Sequence, residues 1–473
     1  ALAAPLAGRR AKIVYRLTLF QHGYTFSRGS YHLLAESFET FVNSLQLKNS
    51  DDIDTKFKSI TKRLNMSYYG SNSEEEHGYK VGSLGRKTAI NGISDMDMLF
   101  VLPKTKFKQY DEYKGNGQSA LLQDVKAEIR KRYPNESIIV RGDGQVVVVT
   151  FSNYEVEVCP AFENSDGSYK FPDSKYGGTW KRTDPMVEIG ESEYTIDQTN
   201  GHFKNICQMV RAWKNNIGFK MGGLLVDTLV HKFLKKYPKY VTVTYEDYLN
   251  LFKDLFLYLK GQNKEQIYWQ SLGSKQPVYD KGKAFIGKAE KAYNKIKDLT
   301  EESENLYEKL QEIFGIKFPI PEVVQKSEFS SYDLRSDNEQ FIDDMFKIDI
   351  KYTLNIECDV KVDGFREGSL RKFIQNKTPL LHKRELKFYI DVNEAEDKGI
   401  SYSIYWKTRN RGTEAVARKK QRGEIVKGTS QKVEPTSFNG PHYVECYIVS
   451  NGVCVAKDRI DVPIFQTPFK IKI

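Results

Sequence analysis

Two aspartates one residue apart, Asp95 and Asp97, run straight into Met98-Leu99-Phe100-Val101-Leu102, and this is the clearest chemistry the chain offers. The apolar run has strand character. Side chains at i and i+2 of a strand share a face, so both carboxylates converge on one point at the strand's edge. Oxygen ligands so disposed suit Mg²⁺, with Mn²⁺ as the alternative, because such an ion keeps several waters and shares its shell with substrate phosphates. Upstream, Gly82-Ser83 followed by Leu84-Gly85-Arg86-Lys87-Thr88 puts small residues, free N–H groups and a hydroxyl where a loop could enter a short helix, a seat for an anion. Metal carboxylates and a phosphate seat would then face each other. A phosphate loop of the G-x-x-x-x-G-K-[ST] kind is rejected: Arg86 separates Gly85 from Lys87-Thr88, and a strand follows where a long helix is required.

The ordered wording of residues 82–103, G-S-x-G-R-x-T-A-I-x-G-x-S-D-x-D-M-L-x-x-L-P, resembles the polymerase-β-type nucleotidyltransferases. Within them it resembles the cGAS/DncV-like branch, bacterial cyclic oligonucleotide synthases of anti-phage defence (SMODS type). The resemblance implies a third metal ligand, three residues before the proline of a D-x-x-P-A-F strand. Glu157-Val158-Cys159-Pro160-Ala161-Phe162 matches with Glu in place of Asp. The added methylene moves the oxygens outward, so Glu157 is expected either to hold one metal less tightly or to serve as base for the attacking hydroxyl. Asn200 followed by Arg211-Ala212-Trp213-Lys214 resembles the family's first helix of the helical lobe, which implies that Lys214 reaches the triphosphate. The family's K-S-Y departs here to Lys220-Met221-Gly222-Gly223, which removes its serine contact. Trp180, in a region that crosses the mouth of the site in the family, has two open roles: stacking on a base or anchoring its loop.

These residues need elements to position them. Helical spacing from Tyr31 to Leu64 predicts two helices leading into the site. A helix is expected over about 120–133, then strands 137–141 and 145–152 with Gly142-Asp143-Gly144 between them as a hairpin. The strand Tyr154–Pro160 alternates, placing Glu155 and Glu157 on one face and Val156 and Val158 on the other. Asn200–Asn215 reads as a helix with Phe203, Ile206, Met209, Val210 and Trp213 on its buried stripe. Further helices are expected over 224–234 and 245–259, and one long amphipathic stretch over 284–314, stopped by Pro319 and Pro321.

From Tyr352 the period becomes two, in runs 352–358, 386–390, 402–406, 443–449, 453–455 and 462–464, which predicts a sandwich-type domain. Trp406–Ala415, Arg422–Ile425 and His442–Ile448 resemble the C-terminal sensor domain of adenylyl/guanylyl cyclases and SMODS enzymes, which implies an unknown ligand for this half. The basic run Arg418–Arg422 reads as a solvated strand edge. The expected organisation is an extension or expression remnant over 1–29, a nucleotidyltransferase core over 30–200, a helical lobe over 201–324, a linker over 325–340 and the β-rich domain over 341–473. The fold class is α+β: a polymerase-β-like core of mixed sheet plus helical lobe, followed by a β-sandwich-like domain.

With 473 residues, 40% of them hydrophobic, the chain is long enough for two or three packed domains. A net charge of +10 favours anionic partners. Nucleoside triphosphates meet that condition; nucleic acid would also, but is not favoured. Five cysteines without C-x-x-C spacing suggest neither a disulfide framework nor zinc, so a reducing cytoplasm is the plain reading. No run approaches the roughly 20 apolar residues needed to cross a bilayer, and no membrane partner is expected. The expected function is Mg-dependent condensation of ATP and other nucleoside triphosphates into a cyclic or linear oligonucleotide messenger read by a downstream effector, with pyrophosphate released. Nucleotidyl transfer to RNA or protein, and a non-catalytic nucleic-acid-binding module, are the rivals.

Overall fold

The structure, a computed structural model of the chain, describes residues 25–464 except 49, 93–94, 153, 323, 325–338, 362–367, 377–379, 381–383 and 438. The expected extension lies outside these residues up to position 24, and the expected linker up to position 338.

A mixed sheet carries the first lobe. Its strands are β1 (Gly78–Lys80), β2 (Asp95–Val101), β3 (Ile139–Asp143), β4 (Val146–Thr150) and β5 (Glu155–Glu163), in the spatial order β1-β2-β5-β4-β3, extended through β5 by β6 (Tyr169–Asp173) and β7 (Thr179–Thr183). Within this sheet only β2 and β5 run parallel; the other pairs are antiparallel. Alternation along β2 sends Met96, Met98 and Phe100 into the core, where they meet Val156 and Val158 of β5. Two helices preceding and following β2, Ser50–Tyr69 and Gly117–Arg132, bury Ile53, Ile60, Leu64, Leu121, Val125 and Ile129 in that same core. The opposite face of β2 is thereby left to Asp95 and Asp97.

The helices, in chain order, are α1 (Thr25–Leu45), the Ser50–Tyr69 helix as α2, α3 (Gly82–Gly85), α4 (Lys104–Asp111), the Gly117–Arg132 helix as α5, α6 (Pro185–Gln198), α7 (His202–Ile217), α8 (Gly223–Lys236), α9 (Tyr248–Lys260), α10 (Ala284–Ile296) and α11 (Leu306–Phe314). Of the two N-terminal helices, α2 belongs to the sheet, whereas Leu34, Phe38, Phe41 and Val42 of α1 pack with Phe203, Trp213, Phe252 and Phe314 of the helical lobe. A short antiparallel pair, β8 (Tyr268–Gln270) and β9 (Pro277–Tyr279), joins α9 to α10. The single helix expected over 284–314 is two helices. Between α10 and α11 the Thr300 N–H donates to the Ser303 hydroxyl at 2.9 Å, a local bond that competes with helix continuation. Gly315 at φ +103° ends α11 before either proline is reached.

The second domain has two sheets, β10 (Lys347–Ile348), β18 (Val453–Ile464), β17 (Gly440–Ser450), β14 (Ser403–Arg409) and β15 (Arg422–Gly428) in one, and β12 (Gly368–Ser369), β11 (Leu354–Lys361), β13 (Glu385–Asn393) and β16 (Gln431–Pro435) in the other, each in that spatial order. Ile356, Cys358 and Phe388 from one sheet share a core with Trp406, Cys446, Ile448 and Ile460 from the other, as a sandwich requires. The runs 453–455 and 462–464, expected as separate strands, are the two ends of β18, which pairs with β17 along its length around a bulge at Ile448/Val449. Among the described residues, no helix is long and apolar enough to cross a membrane.

Candidate active site

The parallel register of β2 and β5 sets Asp95 beside Glu155 and Asp97 beside Glu157. Because neighbouring strands lie about 4.8 Å apart, residues so paired on one face bring their carboxylates together. Oxygens of Asp95, Asp97 and Glu157 all lie within 4.8 Å of one another, each residue partly buried. Burial pushes all three carboxyls up; repulsion from Asp95 adds to it at Asp97, which rises to about 6, and repulsion from Asp95 and Asp97 at Glu157, which rises to about 7, while Asp95 is raised although Lys351 pulls it down. A three-carboxylate, oxygen-only donor set of this kind fits a hard divalent cation, which would supply the missing positive charge.

The turn beneath the triad explains Gly82. It sits at φ +60°, and a Cβ there would stand 1.8 Å from Asp97 Oδ2. Only glycine lets the chain pass so close to the carboxylate. The Ser83 carbonyl accepts from the N–H groups of Thr88 (2.9 Å) and Ala89 (3.1 Å), fixing the loop. Gly82, Ser83, Asp95, Asp97 and Lys214 line a cleft of about 450 Å³.

A buried ionic network, missed in the sequence, ties this loop to the helical lobe. Asp227 of α8, 0% exposed, accepts from Arg86 Nε (2.8 Å) and Thr88 Oγ1 (2.8 Å) after the loop, and from Arg211 Nη1 (2.7 Å) and Nη2 (3.0 Å) of α7. Burial opposes the Asp227 anion, but the two guanidiniums prevail and hold its carboxyl at about 2. One sequence signal was present: an aspartate inside the apolar run Leu224-Leu225-Val226-Asp227-Thr228-Leu229, where an unpaired charge is too costly to bury.

The second domain enters the same cleft. Ile348, Asp349, Ile350 and Lys351 contribute to its wall. Lys351 Nζ lies 3.0 Å from Asp95 Oδ2, and Lys214 Nζ donates to the Ile350 carbonyl at 2.9 Å with Asp349 Oδ1 at 3.7 Å. Burial lowers Lys214 while Asp349 acts against that fall. Burial works against Lys351 as well, but Asp95 and Asp349 outweigh it and its pKa is raised.

Trp180 packs its ring against Phe107 (centroids 5.1 Å) and Phe162 (5.6 Å), and its indole N–H donates to Asp111 at 2.9 Å. Those contacts fasten β7 to α4. In the stretch that departs from K-S-Y, Lys220 pairs with Glu394 of the second domain at 2.7 Å, Met221 is buried, and Gly222 opens α8.

Residues 33–195 match the Second Messenger Oligonucleotide or Dinucleotide Synthetase domain, and residues 336–465 match the Adenylyl/Guanylyl and SMODS C-terminal sensor domain. A probable cyclic nucleotide synthase of Bacillus cereus (strain VD146) is 20% identical over 225 residues, 39% of this chain and 67% of that protein. Among solved structures, E. coli MS115-1 CdnC with ATP is 17% identical, covering 61% of this chain and 100% of its own at a TM-score of 0.45. Vibrio cholerae DncV cyclic AMP-GMP synthase, in complex with a linear intermediate, is 13% identical over 63% of this chain and 90% of its own at a TM-score of 0.41. The chain thus carries a SMODS-type nucleotidyltransferase domain, followed by an Adenylyl/Guanylyl and SMODS C-terminal sensor domain.

Proposed function

We propose that the protein condenses ATP, with or without a second nucleoside triphosphate, into a cyclic or linear oligonucleotide messenger and releases pyrophosphate. The observation that carries this reading is the meeting of Asp95, Asp97 and Glu157 within 4.8 Å, with Asp95 and Asp97 lining a cleft together with Gly82, Ser83 and Lys214. Asp95, Asp97 and Glu157 would hold Mg²⁺, or Mn²⁺ in its place. When bound, such ions lower the pKa of a coordinated hydroxyl and offset charge on a leaving pyrophosphate.

The chain's own groups do the rest. Gly82 and Ser83 hold the β- and γ-phosphates by N–H and hydroxyl donors, and Lys214 neutralises the tail. Glu157 takes the proton from the ribose hydroxyl as the hydroxyl oxygen attacks the α-phosphorus in line. The bond to the bridging oxygen breaks and pyrophosphate departs. A second round on the linear product closes a ring. Positioning and electrostatics thus supply most of the rate. The messenger would act on a downstream effector, in the anti-phage setting the resemblance implies.

The deciding experiment incubates the protein with the four triphosphates and Mg²⁺ or Mn²⁺ and identifies products by mass. A small oligonucleotide resistant to phosphatase is expected, together with pyrophosphate. Asp95→Asn with Asp97→Asn should abolish both. Undiminished release by that double variant, or label found in RNA or protein instead, would overturn the reading.

A further inference from the structure

We propose that the second domain holds the nucleotidyltransferase off by inserting a built-in imitation of its metal and phosphate: Lys351 stands in for the cation at Asp95, and Asp349 for a phosphate oxygen facing Lys214. The inference rests on the function proposed above.

The strand that carries these residues is held rigidly by its own domain. Lys347 and Ile348 pair in parallel with Val453 and Cys454 of β18, and the ladder continues as the N–H groups of Asp349 and Lys351 donate to the carbonyls of Cys454 (3.0 Å) and Val455 (2.9 Å). Period-two alternation then sorts the side chains. Ile350, 2% exposed, turns into the second domain's core with Ile425, Tyr447 and Cys454. Asp349 and Lys351 are left for the other side, where the catalytic lobe is. Both reach it with opposite charges set as the substrate complex would need them. The ammonium of Lys351 is 3.0 Å from a triad carboxylate and the carboxylate of Asp349 is 3.7 Å from Lys214. Asp349 and Lys351 are themselves 3.9 Å apart, the close cation-and-anion arrangement of a metal bound to a phosphate.

The catalytic side is shaped to receive this strand. Asn215, next to Lys214 on α7, donates to the Ile348 carbonyl at 3.0 Å and accepts from the Ile350 N–H at 3.2 Å, so it pairs with the strand as another strand would. Lys214 bonds the Ile350 carbonyl just beyond those two points. A divalent ion needs Asp95 without its ammonium, and a triphosphate needs Lys214 without its carbonyl and carboxylate. Neither the ion nor the triphosphate can seat itself until residues 348–351 withdraw, and their withdrawal is what a signal received by the second domain would control.

The test measures Mn²⁺ affinity of the full-length protein by electron paramagnetic resonance of the free ion, alongside pyrophosphate release. Lys351→Met keeps the stem and removes the charge, and should tighten Mn²⁺ binding by about tenfold or more, the scale of one half-buried charge pair at such a distance. Lys351→Arg should restore wild-type affinity. Asn215→Ala, which unpairs the strand without altering any charge, should tighten Mn²⁺ binding as well, and provides a second route should Lys351→Met misfold. Mn²⁺ affinity in Lys351→Met and Asn215→Ala no greater than in wild type overturns the autoinhibitory contact. Tightened Mn²⁺ binding with no pyrophosphate from any variant leaves the contact standing and removes the proposed reaction instead.

Discussion

At Gly82 a single hydrogen decides whether the triad can form. Its Cβ would collide with Asp97 Oδ2 at 1.8 Å, and the positive φ adds strain, so Gly82→Ala must move Asp97 or the loop. We expect kcat to fall by about 100-fold, the loss a displacement of about 1 Å produces at a reacting centre. Thermal unfolding should shift downward as well, by the strain of an alanine at positive φ; a wild-type rate would refute the argument. Asp227 is the opposite case, a residue whose loss is felt in stability. Asp227→Asn leaves Arg211 buried without this counterion and Arg86 with only Glu188 at 4.0 Å, and should cost about 3 to 5 kcal/mol in urea unfolding. The pH dependence has a definite sign. The folded carboxyl sits at about 2, below its ordinary value of 3.8, so the anion's contribution is fully present above pH 4 and is lost as pH falls through 2. Its size is about 2 kcal/mol, and between pH 4 and pH 2 the unfolding midpoint of wild type should drop further than that of Asp227→Asn. Equal slopes would show that the network is not what depresses the carboxyl. Asp95 and Asp97 were legible because a D-x-D pair beside an apolar run states its own geometry. Asp227 was not, since its partner Arg86 lies 141 residues earlier and only the fold brings them together.

At the scale of the element, α7 does three jobs along one axis. Phe203, Ile206, Val210 and Trp213 face the helical core, Gln208 donates to the Ala89 carbonyl at 2.7 Å and Arg211 joins the loop network, and Lys214 and Asn215 meet the second domain. The apolar stripe was readable from spacing alone. Nothing in that spacing marks Gln208, Arg211, Lys214 and Asn215 as buried, yet all four are, because a helix wedged among three bodies has no free face. Trp213 tests how much of the lobe depends on this wedge. It is fully buried, with Phe219 at 4.7 Å and Phe256 at 5.0 Å between ring centroids. Trp213→Ala should cost about 3 to 5 kcal/mol. Its indole N–H has no acceptor among the described residues, so Trp213→Phe loses packing but also removes an unsatisfied donor, and should recover most of that cost in the same denaturation series. A Phe variant as unstable as Ala would mean the indole is bonded after all. The strands of β2 and β5 were legible by alternation, while the break between α10 and α11 was not, since the apolar spacing continues across a turn made by Thr300 and Ser303.

At the scale of the whole molecule, the second domain announced itself by a sustained period of 2 after the 3.6 period of the helical lobe, but nothing in either period says how the halves meet. Asp95 and Lys351 are 256 residues apart, and a lone lysine after an alternating Ile-Asp-Ile reads as an exposed strand end. The docked arrangement makes one prediction that separates two ways of opening. Three consecutive amides of the strand have different partners: those of Asp349 and Lys351 donate to β18 within the second domain, while that of Ile350 donates to Asn215 of α7. If the second domain moves away as a body when Mn²⁺ and a non-hydrolysable ATP analogue bind, hydrogen exchange at Ile350 should accelerate by about 10-fold or more, as expected for an amide that loses its bond. Asp349 and Lys351 should keep their protection. If instead the strand peels from its own sheet, all three amides should accelerate together, and the ladder to Cys454 and Val455 would be the element that yields. Unchanged exchange at all three, with nucleotide demonstrably bound, would mean that the cleft admits substrate while Lys351 remains beside Asp95, and the two domains would then have to be read as one permanently closed catalytic body.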